Sequence, residues 1–131
     1  MSLRHHERTI RQMFSKFTDF NSEISALSDF MTPDYRQRVD GNEMTLDAFL
    51  RHANALRSGL CRLEISIKHV VCEGDRAATV HLARAIRHSG ECSLIKVIAF
   101  YEFREERICL VDELTHVLEG GQNDKALGSL Q

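Results

Sequence analysis

No stretch of this sequence stays apolar for long. Apolar stretches such as Leu94–Ile95 and Val97–Phe100 are broken by Lys96 and Glu102, and a membrane-spanning helix needs ~20 apolar residues. No membrane partner is expected. A basic stripe is missing too: charges of both signs are mixed along the chain to a net −2, so nucleic acid is not an expected partner. Cysteine is scarce and scattered, with Cys61, Cys72, Cys92 and Cys109 standing singly and no C-x-x-C pair. Together with the lack of a charged-then-apolar leader, this points to a cytoplasmic protein with free thiols.

Chemical signatures are absent as well. There is no G-x-S-x-G, no glycine-rich phosphate loop and no dinucleotide fingerprint. His5 and His6 are adjacent, His69 and His81 fall on different extended segments, and no carboxylate–histidine spacing matches a zinc motif. No metal and no cofactor are expected.

What is present is the composition of one folded unit. Of 131 residues, 43% are hydrophobic and 27% charged, enough for a core and a solvated surface. A single domain over 1–131 is expected, with a polar, glycine-containing tail from 120. Ile10, Met13, Phe14, Phe17 and Phe20 form one helical stripe. Asn21 or Ser22 can cap a shorter helix burying Ile24, Leu27, Phe30 and Met31, which Pro33 is expected to end. A short extended piece, Tyr35 to Val39, runs into the turn Asp40-Gly41. Thr45 is a good N-cap for a third helix with Leu46, Phe49, Leu50, Ala53 and Leu56 inward, stopping at Ser58-Gly59.

Beyond Gly59 the period changes from helical to two. Leu63, Ile65, Ile67, His69 and Val71 share one face of a strand spanning Arg62 to Cys72. Gly74-Asp75 turns it back, and three more long strands follow: Arg76 to Arg87, Cys92 to Phe103 and Arg107 to Val117. Helices first and a meander afterwards make an α+β pattern. Long strands twist and curl, so helices wrapped on one curled sheet leave an apolar hollow between them.

The element order, with Tyr35, Val39-Asp40-Gly41, His52 in the third helix and Asp112-Glu113-Leu114-Thr115 near the end, resembles the nuclear transport factor two-like superfamily. Its SnoaL-like and ketosteroid isomerase-like branch is the nearest in look, over about Leu3 to Gly121; Glu119-Gly120, Asp124 and Leu127-Gly128-Ser129 add to the likeness. The resemblance implies a cone-like curved antiparallel sheet wrapped by three helices of the N-terminal half, a cystatin-like roll, and a homodimer through the sheet. It also implies a base near Asp40, with a tyrosine in the first helix and an acid on a late strand. Phe14 or Phe17 and Ala99 stand there instead. A phenyl ring and a methyl group donate no hydrogen bond to an enolate, so true steroid isomerase chemistry is not expected.

Glu113 is the foremost candidate for chemistry, in phase with Cys109, Val111, Thr115 and Val117. A carboxylate on such a face must be paired, hydrogen-bonded or protonated; it is either a pocket acid/base or a tied structural carboxylate. His52, at the edge of its helix stripe, can exchange a proton near neutral pH or simply pack. Tyr35 can orient a ligand oxygen or serve as an amphipathic strand residue. Asp40 fits turn chemistry better than a base. His81, among the small residues Ala77, Thr79, Ala83 and Ala85, and Lys96, between Leu94 and Ile98, are pocket or surface candidates. Phe14, Phe17, Phe30, Val39 and Thr115 complete the expected pocket.

Two functions fit these features. One is a pocket protein for a small apolar molecule, as a cofactor-independent isomerase, cyclase or dehydratase acting on a carbonyl-bearing substrate through Glu113, His52 and Tyr35. The other is a non-catalytic dimeric binding or assembly module of the same fold, using the outer face of its sheet.

Overall fold

A computed structural model of the chain describes residues 3–120. Helix α1 (Leu3–Thr18) leads through a 3₁₀ helix (Ile24–Phe30) into strands β1 (Met31–Val39) and β2 (Asn42–Thr45). Helix α2 (Leu46–Gly59) follows, then β3 (Leu60–Glu73), β4 (Arg76–Arg87), β5 (Cys92–Arg104) and β6 (Arg107–Glu119). The fold is α+β, with the helices on one side of a curved, unclosed six-stranded sheet in the order β2-β1-β6-β5-β4-β3. The sheet is mixed where an antiparallel one is expected: β1 runs parallel to β6, because the chain crosses the concave face through α2 before the meander begins. The tail expected from residue 120 lies outside the described residues except for Gly120. Among the described residues no helix is long and apolar enough to cross a membrane.

Local chemistry explains most element ends. The Thr45 hydroxyl accepts from the Ala48 amide at 3.2 Å, capping α2 and satisfying one of the donors a helix start leaves free. The other end of α1 is held from outside its own sequence. The Arg57 guanidinium of α2 donates to the carbonyls of Lys16 at 2.7 Å and Ser22 at 2.6 Å, and lies 5.4 Å over the Phe20 ring. It thereby satisfies carbonyls that a helix C-terminus leaves without partners, and ties the two helices across one end of the fold.

Pro33 lies inside β1 rather than ending a helix. The β1–β6 register is interrupted between Met31 and Arg36, so the amide that proline lacks is not needed there. The preceding element closes as a 3₁₀ turn whose N-cap residue is Glu23, with no capping side chain.

Of the register shifts in the meander, one within β3 and one within β6 decide which residues face the helices. In β3, Ile67 pairs with His81 and His69 with Val80, leaving Lys68 as the extra residue. Such an insertion flips every later side chain to the other face. His69 and Val71 therefore point away from the face that carries Leu63 and Ile67, contrary to the simple alternation, and Val71 is 67% exposed. In β6, Ile108 pairs with Phe103 and Leu110 with Glu102. Cys109 drops out of the face it was expected to share with Val111 and Glu113, and Ile108 takes the core position.

With these phases the concave face reads as a grid. One row across β4, β5, β6 and β1 is Ala77, Tyr101, Val111, Gln37; the next is Thr79, Ala99, Glu113, Val39; a third is His81, Val97, Thr115. Ile10, Met13, Leu27, Phe49 and Ala53 of the helices close over it.

Candidate functional site

The helices do not fill the concavity. A hollow remains between the concave face and the inner sides of α1, the 3₁₀ helix and α2, walled by Phe14, Phe17, Leu27, Phe49, Leu56, Ile95 and Val97. A water centre can occupy about 70 Å³ of it, several times the ~10–15 Å³ that one water needs. Its polar lining comes from Tyr35, Gln37, His81, Tyr101 and Glu113.

Glu113 reaches the hollow because β6 alternates regularly after Val111 and sits opposite Val39 in the parallel ladder. Gln37, two residues earlier on β1, donates its Nε2 to Glu113 Oε1 at 3.5 Å and accepts the Tyr35 hydroxyl on Oε1 at 2.7 Å. Burial pushes the Glu113 carboxyl up to about 8, and the nearby carboxylates of Asp40 and Asp112 add to the effect. At pH 7 this side chain is therefore mostly the neutral acid, carrying a hydroxyl that it can donate. Glu113 keeps part of its surface accessible, as a residue on the wall of an open hollow does.

A second chain of polar groups enters from β4 and β5. Thr79 Oγ1 lies 3.0 Å from His81 Nδ1 and 2.8 Å from the Tyr101 hydroxyl. His81 is 3% exposed, its ring 4.8 Å from that of Phe14 on α1. Burial brings its imidazole down to about 4, so at pH 7 it is neutral. The hydroxyls of Tyr35 and Tyr101 are both pushed up, chiefly by burial and further by Glu113; neither is a phenolate.

The structure brings Glu113, Tyr35, His81, Phe14 and Phe17 together around the hollow. It sets the other sequence candidates elsewhere. His52 is half-buried on the flank of α2, since three residues after Phe49 the helix has turned about 300°, and it is not part of this lining. Phe30 packs against the core from the end of the 3₁₀ helix, and Val39, beside Glu113 in its row, is fully buried and is not part of this lining. Asp40, at φ 50°, accepts from the Thr115 amide at 2.9 Å and from the Thr115 hydroxyl. That bond occupies both residues in joining the β1 turn to β6. Lys96 is exposed on the convex face between Leu82 and His116. The small-residue face of β4 is the concave one, and α1 lies over it.

Gln37, Thr79 and Tyr101 were missed by sequence reasoning. Tyr101 carried a usable signal, standing in alternation with Val97 and Ala99. It puts a phenol two residues beyond the position where the resemblance offers only a methyl group. Gln37 and Thr79 gave none, because their roles depend on partners fixed by sheet register.

Comparison with known proteins places this geometry. A family model described as the SnoaL-like domain matches residues 10–111. An uncharacterised protein of the fission yeast Schizosaccharomyces pombe is 60% identical over 125 residues, spanning 95% of this chain and 96% of its own length. Among solved structures, AclR of Streptomyces galilaeus, provisionally named a hydroxylase, superposes with a TM-score of 0.80 at 14% identity, over 99% of this chain and 89% of its own. AusH of Aspergillus nidulans gives 0.78 at 11% identity, over 98% and 92%. At these identities the two structures speak for the fold. The match of the family model over most of the chain speaks for membership: the chain belongs to the SnoaL-like domain family.

Proposed function

We propose that this protein binds a small, largely apolar, carbonyl-bearing molecule in the hollow and moves a proton on it without a cofactor, as an isomerase, cyclase or dehydratase. The observation that carries this reading is Glu113, a carboxylic acid set into an apolar hollow and held by Gln37. An acid whose ionisation lies near neutral pH can both give and recover a proton at little cost in driving force. Phe14, Phe17, Phe49 and Leu56 supply the apolar contact, and Glu113 meets the substrate oxygen. Tyr35 supports from behind: its only proton is engaged by Gln37, so it steadies the amide that steadies the acid.

The test starts from a thermal-shift screen of hydrophobic ketones and lactones, since a ligand bound to the native state raises the melting temperature. Ligands that register are then incubated with wild type and Glu113→Gln and followed by NMR for product. Conversion by wild type and its loss, by about 10²-fold or more, in the variant is expected. Equal turnover by the two proteins refutes the assignment.

A second copy of the chain is proposed to cover the convex face. Val71, Ile98, Phe100 and Leu114 are exposed there, in neighbouring cross-strand rows with Ala78 and Val80. Neighbouring exposed apolar side chains of this kind suit an interaction surface, and isologous pairing would bury them. This observation also favours the alternative reading, a dimeric binding or assembly module without catalysis. Sedimentation at micromolar concentration is expected to show a dimer that Leu114→Glu converts to monomer. A monomeric wild type refutes the pairing.

A further inference from the structure

Glu113 is one end of the hollow's polar equipment. Thr79 stands in the same cross-strand row, with Ala99 between them, roughly 10 Å away at the backbone, two strand spacings of ~4.8 Å. Glu113, His81 and Tyr101 line one cavity with apolar walls, and Thr79, buried, bonds both His81 and Tyr101.

Counting protons shows what the second group offers. Thr79 Oγ1 has a single proton to share between Tyr101 and His81. If Tyr101 donates to Thr79, then Thr79 donates to His81 Nδ1, and Nε2 carries the imidazole proton. If His81 Nδ1 donates instead, Thr79 accepts there and can donate to Tyr101, which frees the phenol proton, and Nε2 carries a lone pair. Nε2 makes no protein hydrogen bond in either case. It is not sealed in: among the described residues only His6 Nδ1 is both enclosed and without a partner. The Thr79 hydroxyl therefore lets the chain present either polarity, which suits a ligand hydroxyl, itself both donor and acceptor.

Charge narrows the class further. No lysine or arginine lines the hollow, and the charges that act on Glu113 are those of Asp40 and Asp112. A ligand carboxylate would enter an apolar space with no cation to meet it.

We propose that His81, Thr79 and Tyr101 form a second polar contact, and that with Glu113 they select a neutral ligand bearing both a carbonyl and a hydroxyl over one bearing a carboxylate. Thr79 is the positioning residue of this pair of contacts. The inference rests on the reading of the hollow as a small-molecule site and adds what that molecule carries.

Three matched probes test it: acetophenone, 3′-hydroxyacetophenone and 3-acetylbenzoic acid, titrated by NMR into isotope-labelled full-length protein. The hydroxyketone is expected to bind about tenfold tighter than acetophenone, the gain of one well-made hydrogen bond, and the acid weakest of the three. Thr79→Val is expected to bring the hydroxyketone down to the affinity of acetophenone for the same variant; Thr79→Ser is expected to restore the advantage. A folded spectrum for each variant comes from the same titration. Acid binding as tight as ketone binding overturns the inference, as does a Thr79→Val effect equal for both ketones. So does failure of all three to bind wild type. Acetophenone binding without preference for the hydroxyl overturns this inference alone and leaves Glu113 as proton carrier; loss of every ligand in both experiments overturns the two together.

Discussion

Each face of the one sheet carries some residues of the kind usually found on the other. The concave face, shielded by helices, carries a carboxylic acid, an imidazole, an amide and three hydroxyl groups. The convex face, open to solvent, carries Ile98 and Leu114 at 52% and 67% exposure. Ordinary folding would exchange these sets. The concave polar groups persist because each is bonded to a neighbour and because burial favours the neutral forms of Glu113, His81, Tyr35 and Tyr101. Among the described residues nothing comparable covers the convex apolar groups. The contrast separates polar groups that find partners inside the fold from apolar groups left facing solvent among the described residues.

Truncation breaks the contrast most sharply. Tyr101→Ala removes a ring that is 1% exposed and is expected to cost about 3–5 kcal/mol in urea unfolding. Leu114→Ala, measured where the chain is dilute and monomeric, is expected to stay within about 0.5 kcal/mol.

Proton linkage comes next. The folded-state pKa of Glu113, about 8, lies above the ordinary carboxylate value of 4.5. Its contribution to stability is thus complete below 4.5 and is lost as pH rises through 8. Glu113→Gln is expected to remove that loss, leaving the variant about 2–4 kcal/mol more stable than wild type at pH 9. His81 has the opposite sign. Its folded value of about 4 lies below 6.5, so its contribution is present above 6.5 and is lost as pH falls through 4. His81→Leu is expected to flatten the acid side of the stability profile by about 1–3 kcal/mol. Wild type is then most stable near pH 5–6, where both groups are neutral when folded. Denaturant curves across pH 4–9 check both.

The smallest effect concerns support. Tyr35→Phe leaves Gln37 Oε1 without its donor and is expected to cost about 1–2 kcal/mol. It should also lower the Glu113→Gln difference at pH 9, since a loosened Gln37 admits water to the carboxyl.

Much of the fold was legible from residue pattern alone. Thr45 caps its helix as its type and place suggest, and the period change after Gly59 marks the start of the long strands. The single residues that break alternation were not legible. Lys68 and Cys109 look like ordinary strand positions, and only pairing with β4 and β5 shows each to be an insertion. The site divided along the same line. Glu113 announces itself as a carboxylate in an apolar phase, and His81 by its small neighbours. His52 lies on a helix flank that periodicity cannot resolve to better than one residue's turn. Thr79 and Gln37 matter through bonds between side chains that neither local propensity nor hydrophobic period encodes.

The Glu113 carboxyl itself gives the most direct measurement. Its ¹³C shift, followed by NMR from pH 4 to 10 and assigned by loss of the signal in Glu113→Gln, reports its ionisation inside the hollow. A midpoint near 8 is expected. A midpoint near 4.5 would mean a hydrated, ordinary glutamate, and would contradict the acid on which the proton-moving role depends.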